Sequence, residues 1–187
     1  MSTSTLANKK GEFKRKVSSF RNWVTEDGSS GFPAESGRYH LYVSYACPWA
    51  HRALVTRQLK GLSEVISLDV VDYLMVEKGW RFSPDAPDTL NGFEYLREVY
   101  FLAEMDYEGR FSVPVLWDKK TKTIVNNESS EIMHMLNSEF NKFCATDEAR
   151  AIDLYPEDMR QEIDGLNEWI YRYCLLHYVY IAIYNYI

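Results

Sequence analysis

Cys47, Pro48 and Ala50 are the residues of this chain whose types and spacing point most directly to chemistry. An apolar run ends at Ala46, a cysteine follows, and Pro48 takes what the pattern marks as the first position of a helix, where its missing N–H costs nothing. Cys47 is therefore expected at a helix N-terminus. There the aligned peptide dipoles and unpaired N–H groups favour negative charge, so its thiol should ionise more readily than a free one and act as a nucleophile. The partner position of a two-cysteine redox motif is Ala50 here. A disulfide formed at Cys47 must then be resolved by a thiol from elsewhere, most simply a small soluble one, with glutathione the obvious candidate. The competing reading is a buried cysteine serving as a small hydrophobe.

A second polar cluster, Asn126-Asn127-Glu128-Ser129-Ser130-Glu131, opens a helix whose apolar residues Ile132, Met133, Leu136 and Phe140 recur at helical spacing. Taken alone, Glu128 and Ser129 read as capping residues. With Cys47 at another helix N-terminus of the same small sheet, they gain a second use. A serine hydroxyl plus helix N–H groups can hold a carboxylate while Glu128 holds an ammonium, the two ends of a γ-glutamyl group. The three cysteines, Cys47, Cys144 and Cys174, have no metal-like spacing. They suggest a reducing compartment, with neither a metal site nor a disulfide framework expected.

The elements that must position these residues follow from pattern. Tyr39–Val43 reads as a strand, and the helix after Cys47 should run to Lys60, with Ala50, Ala53, Leu54 and the Arg57 stem facing inward and Gly61 as its stop. Residues 65–71 read as a strand buried on both faces, the mark of a parallel strand. Residues 72–110 form an irregular excursion with a turn or two of helix near 93–103, and its aromatics Trp80, Phe82 and Phe93 argue for packing over disorder. Residues 111–125 read as a hairpin of two short strands, where Pro114 marks an edge, a bulge or a cis bond. Residues 141–155 are expected as a linker, after which Pro156 opens a helix carrying Ile163, Leu166, Ile170, Tyr173, Cys174 and His177 at three- and four-residue steps.

Composition narrows the classes. A net charge of −6 over 187 residues argues against nucleic acid as the main partner. Residues 1–25 are basic, with Lys9, Lys10, Lys14, Arg15, Lys16 and Arg21 against Glu12. This lead-in is expected to pack Phe13, Val17, Phe20 and Trp23 across the domain surface, with an organellar transit segment as the alternative and no apolar core of a secretory leader. Residues 173–187 carry no charge but are shorter than the about 20 needed to span a bilayer. No membrane span is expected, and a cytoplasmic location is.

Five motifs together resemble the glutathionyl-hydroquinone reductases, the xi class of glutathione transferases, over residues 10–172. They are Gly37-Arg38-Tyr39-His40-Leu41-Tyr42, Cys47-Pro48-Trp49-Ala50-His51-Arg52, Lys78-Gly79-Trp80-Arg81-Phe82, Val113-Pro114-Val115-Leu116-Trp117-Asp118 and the Asn126–Glu131 run. The resemblance implies an α/β fold: a thioredoxin-like N-terminal domain with a mixed four-stranded sheet, followed by an incomplete all-helical glutathione-transferase C-terminal domain. The expected division is an extension over 1–37, the glutathione-binding domain over 38–141, and a linker with the start of the helical domain over 142–187. Cys47 would be the nucleophile that takes glutathione from a glutathionyl-hydroquinone. Trp80 would pack against the tripeptide, Val113 would pair with its backbone, Glu128 and Ser129 would hold its γ-glutamyl end, and Arg110 would meet a carboxylate. Tyr171 would reach the hydroquinone, and glutathione is the co-substrate.

The family is homodimeric and continues past Tyr171-Arg172 with a polar stretch, where this chain has Cys174-Leu175-Leu176-His177-Tyr178. The chain therefore reads as truncated. The alternatives to the reductase are a glutathione-binding fragment without turnover and a general thiol transferase or dehydroascorbate reductase of the omega-like type.

Overall fold

The computed structural model describes residues 18–170. Its contacts divide the chain into two units: residues 18–153, and a second unit whose described part is residues 154–170. In the first unit four strands form one mixed sheet in the order β2-β1-β3-β4. β1 (Tyr39–Val43) and β3 (Val115–Asp118) hold the two inner places and are buried at every residue. β2 (Ser67–Val70) runs parallel to β1, with His40 opposite Ser67 and Val43 opposite Val70. β3 is antiparallel to β1, with Tyr42 opposite Val115, and β4 (Thr123–Asn126) is antiparallel to β3.

The expected strand over 65–71 needs correction. Only four of its residues enter the ladder, and as a sheet-edge strand β2 leaves Ser67, Leu68 and Val70 half-exposed while Asp69 is the buried one. Val65, Ile66 and Val71 are buried beside it without belonging to it.

Two helices share one end of this sheet for a topological reason. β1 and β4 are each antiparallel to β3, so they point the same way and end on the same side. α1 (Pro48–Leu59) folds back after β1 and α3 (Ser129–Ser138) after β4, so both begin at that end and pack side by side. α1 buries Ala50, Ala53, Thr56 and Arg57, while Leu54 is only half-buried. It stops as expected, with Gly61 at φ +61° just beyond the Lys60 cap. The chain entering β3 arrives at the same end, where the Val113–Pro114 peptide bond is cis.

The excursion contains α2 (Leu96–Ala103), whose first turn is closed by Glu98 accepting from the Tyr95 N–H at 2.8 Å. The N-terminal arm lies along the outer edge of β4: Asn22 N donates to Val125 O at 3.0 Å, Asn127 N donates to Phe20 O at 3.1 Å, and Val24 is fully buried. Phe20 packs its ring against Tyr100 and Tyr107. Phe13 and Val17 lie outside the described residues.

The stretch expected as a linker is built structure instead. A 3-10 turn at Asn141–Phe143 precedes α4 (Asp147–Ala151), which is capped by Thr146 accepting from Ala149 N at 3.1 Å. The reason is a buried lysine. Lys60 donates to Ile152 O at 2.6 Å and Arg150 O at 3.2 Å, folding this segment onto the end of α1, and burial lowers the Lys60 pKa.

In the second unit a 3-10 turn, Glu157–Met159, leads into α5 (Arg160–Trp169), and the Tyr155 hydroxyl donates to Asp164 at 2.7 Å. Among the described residues no helix is long and apolar enough to cross a membrane. The apolar run over 173–187, Cys174 and Tyr171 lie outside the described residues.

Candidate functional site

Cys47 is the N-cap of α1, in extended backbone conformation with Pro48 directly after it, and its carbonyl accepts the first helical bond from His51 N at 2.9 Å. Its side chain is half-exposed and points across the sheet end, with Sγ 3.7 Å from the carbonyl oxygen of Val113. Cys47 is partly buried against the core and is not paired in a disulfide. It lies at the approach to the cis-proline, as the topology of β1 and β3 requires.

α3 supplies the second half of the site. Glu128 is its N-cap and Ser129 its first residue, so the free N–H groups of the helix start point from Ser129 onward. Ser129 is fully buried and Glu128 half-buried. Glu128 accepts from the Ser18 hydroxyl at 2.9 Å, which the sequence pattern did not suggest.

Arg52, the last residue of the Cys47–Arg52 motif, donates through Nη2 to Ser129 Oγ at 2.8 Å while its guanidinium lies 5.0 Å from the centroid of the Trp49 ring. One side chain of the first turns of α1 thus ties the cysteine helix to the start of α3. No periodicity in the sequence carries a contact between two helices. The available signal was chemical: an arginine one turn after a candidate nucleophile.

Trp80 is tied to the same end through a chain of hydrogen bonds. The Ser44 hydroxyl donates to Asp72 O at 3.3 Å, Asp72 N donates to Arg81 O at 2.7 Å, and Trp80 O accepts from Leu96 N at 3.0 Å. Trp80 is half-buried against the core. Buried polar residues of the strands hold this excursion in place. Asp88 accepts from the Tyr42 hydroxyl and from the N–H groups of Leu90, Asn91 and Phe93, and Asp69 accepts from Thr89 N and Oγ1. Burial works to raise the Asp69 pKa, but hydrogen bonds from His40 and Thr89 prevail and hold it below the ordinary carboxylate range.

Arg110 lies three residues before Val113, and its carbonyl accepts from Ser112 N and from the Tyr107 hydroxyl. Cys47, Val113, Glu128 and Ser129 therefore meet at one end of the sheet, with Trp80 and Arg110 on the segments leading into it. Tyr171 lies outside the described residues. Asn126 and Asn127, expected only as polar caps, bind the arm: Asn126 Nδ2 donates to Asn22 O at 3.0 Å and Asn127 Oδ1 accepts from Phe20 N at 3.2 Å. Two adjacent amides before a single helix were one more than capping needs. Among the described residues no group of three or more His, Cys, Asp or Glu side chains is placed to hold a metal ion.

A helix-capping cysteine facing the backbone before a cis-proline, on a β2-β1-β3-β4 mixed sheet, defines a thioredoxin-like domain of the glutathione-transferase kind. The chain belongs to the glutathione S-transferase family, residues 46–139 matching the model of the "Glutathione S-transferase, N-terminal domain". Several of the solved structures it resembles are xi-class glutathione transferases. It is 51% identical over 168 residues to the glutathione S-transferase omega-like 2 of Schizosaccharomyces pombe, covering 88% of this chain and 53% of that protein. It is 51% identical over 171 residues to a glutathionyl-hydroquinone reductase of Escherichia coli, covering 86% of this chain and 51% of that one. The crystal structure of the xi glutathione transferase from Phanerochaete chrysosporium superposes with a TM-score of 0.80 at 51% identity, covering 85% of this chain and 54% of that chain. The chain spans about half the length of the curated relatives it matches.

Proposed function

We propose that the chain is a glutathione-dependent reductase that removes glutathione from glutathionyl-hydroquinones, with Cys47 as its nucleophile. The observation that carries this reading is the half-buried Cys47 at the start of α1, its sulfur 3.7 Å from Val113 O, with the Glu128–Ser129 start of α3 joined to α1 through Arg52. The name of the Escherichia coli relative supports the choice of substrate class.

In the first step the Cys47 thiolate attacks the thioether sulfur of the glutathionyl-hydroquinone. A sulfur–sulfur bond forms, the carbon–sulfur bond breaks, and its electron pair goes to the ring carbon, which takes a proton. The free hydroquinone leaves and Cys47 is left in a mixed disulfide with glutathione. In the second step the thiolate of another glutathione attacks the glutathione sulfur of that disulfide, giving oxidised glutathione and returning the Cys47 thiolate. Ala50 fits this scheme because no neighbouring thiol competes with the second glutathione. Val113 would pair with the cysteinyl backbone of the tripeptide and Trp80 would pack against it. Arg110 would meet a carboxylate, Ser129 with the α3 N–H groups would take the γ-glutamyl carboxylate, and Glu128 would take its ammonium. Tyr171 would meet the hydroquinone, and the family's homodimer would complete the pocket.

The test incubates the purified chain with a glutathionylated hydroquinone and excess glutathione. Release of hydroquinone is expected, with a glutathione adduct on Cys47 in the intact mass when the second glutathione is withheld. Cys47→Ser should abolish both. Glutathione binding without turnover or adduct would point to the fragment reading, and turnover of dehydroascorbate but not of the hydroquinone conjugate to the omega-like one.

A further inference from the structure

The topology that gathers the cysteine end of the sheet also gathers its opposite end. β1 and β2 run parallel and begin there, and β3, antiparallel to β1, leaves there, so His40 and Lys119 both meet Ser67 although 27 and 52 positions separate them from it. His40 stands opposite Ser67 in the ladder, and alternation along β2 puts Asp69 on the same face as Ser67. His40 Nδ1 lies 2.7 Å from Ser67 Oγ, and His40 Nε2 faces Asp69 Oδ2 at 3.2 Å. The imidazole and Asp69 are buried, while Ser67 is half-buried on the edge strand of the sheet.

Asp69 also accepts from Thr89 N and Oγ1, which fix its carboxylate, and with its pKa below the ordinary range it is an anion at neutral pH. A carboxylate can only accept, so the proton of a neutral His40 belongs on Nε2, and Nδ1 is left to accept from the Ser67 hydroxyl. Tyr39 O is a second and longer contact of that hydroxyl, at 3.5 Å. Lys119 Nζ donates to Ser67 Oγ at 3.3 Å. A hydroxyl, a base to take its proton, a carboxylate that orients the base and a cation beside the oxygen are the parts of a hydrolytic nucleophile, which is recognised by geometry and roles.

We propose that Ser67 is a second nucleophile of the chain, at the end of the sheet away from Cys47, and that it hydrolyses small carboxylic esters. Ser67 Oγ attacks the ester carbonyl carbon as its proton passes to His40 Nδ1, and the Lys119 ammonium meets the oxyanion that forms. Collapse of that intermediate breaks the carbon–oxygen bond to the alcohol, which leaves with the proton from His40. Water then attacks the acyl group on Ser67, giving a proton to His40, and the acid departs as that proton returns to Ser67 Oγ. The substrate is small because His40 has no exposed surface and the relay is reached only at Ser67.

The experiment caps the cysteines of the full chain with iodoacetamide, so that Cys47 contributes nothing, and exposes it to a fluorophosphonate and, separately, to 4-nitrophenyl acetate. Expected are a phosphonyl adduct that peptide mass spectrometry locates on Ser67, and a release of 4-nitrophenolate that Ser67→Ala or prior phosphonylation abolishes. His40→Gln should slow phosphonylation of Ser67 by about a hundredfold, the share of a general base. The absence of an adduct on Ser67, or ester turnover that survives in Ser67→Ala, overturns the proposal. So does an adduct that forms as fast in His40→Gln as in the parent, since Lys119 alone would then be the source of the reactivity. Should His40→Gln fail to fold, the adduct on the parent and the Ser67→Ala comparison decide.

Discussion

A single guanidinium joins the two helix starts on which the site depends. Arg52 donates to Ser129 Oγ and lies over the Trp49 ring. This sets the rotamer of the hydroxyl that would meet a carboxylate and places positive charge beside it. Arg52→Ala should raise the glutathione Kd by roughly tenfold, the size of one lost charge-assisted contact. Arg52→Lys should recover only part of that loss, because an ammonium is a point charge that cannot lie flat on the indole and donate to Ser129 together. Calorimetry on the three proteins checks both, and a lysine variant equal to the parent would show that charge alone is used. At this scale the sequence made Cys47, Val113, Glu128 and Ser129 legible through local chemistry, since each stands at an element boundary that pattern reveals. Arg52 and Ser18 act across 77 and 110 positions of sequence, a distance at which periodicity says nothing.

The elements were legible where an apolar run is bounded by turn or cap residues. β1, α1 and the hairpin fall where such runs and their boundaries put them, even though β1 and β3 are buried at every residue. β2 misled because an apolar run cannot tell a strand in the ladder from a buried loop beside it. The segment over 141–153 misled because it is organised by Lys60, one buried cation satisfied by two carbonyls, rather than by an apolar face. Gly61 tests that organisation. It has φ +61°, and a Cβ there would meet Ala145 Cβ at 3.0 Å and Ala145 N at 3.1 Å, a backbone atom that cannot step aside as a side chain does. Gly61→Ala should therefore cost more than the about 1 kcal/mol of a left-handed alanine. Urea unfolding should show a lower midpoint with an unchanged slope, and a midpoint equal to the parent's would mean that α4 does not rest on the end of α1.

Across the whole molecule the buried carboxylates set the response to acid. Arg38, just before β1, donates through Nε and Nη2 to Asp118 at the end of β3, at 2.9 and 2.6 Å, with both side chains buried. Thr121 and the Lys120 N–H complete the shell of donors. Burial works to raise the Asp118 pKa, but these hydrogen bonds hold it below the ordinary carboxylate range, as they do for Asp69 and for Glu131 beside Arg21. A carboxyl whose folded pKa is depressed contributes stability that is full above its unfolded value, about 4, and is lost as pH falls through the folded value. The urea midpoint should accordingly hold steady from neutral pH down to about 5 and fall below about 4. Asp118→Asn keeps the shape of the side chain but leaves the buried guanidinium with only the more distant Glu35 carboxylate, at 3.7 Å, as counter-charge, so it should cost roughly 3 kcal/mol at pH 7. The same variant should differ less from the parent at pH 3 than at pH 7, because acid removes from the parent the charge that the variant already lacks. If the difference were the same at both values, Arg38 would be held by the shape of its partner and not by its charge, and the acid response would have to originate elsewhere in the sheet.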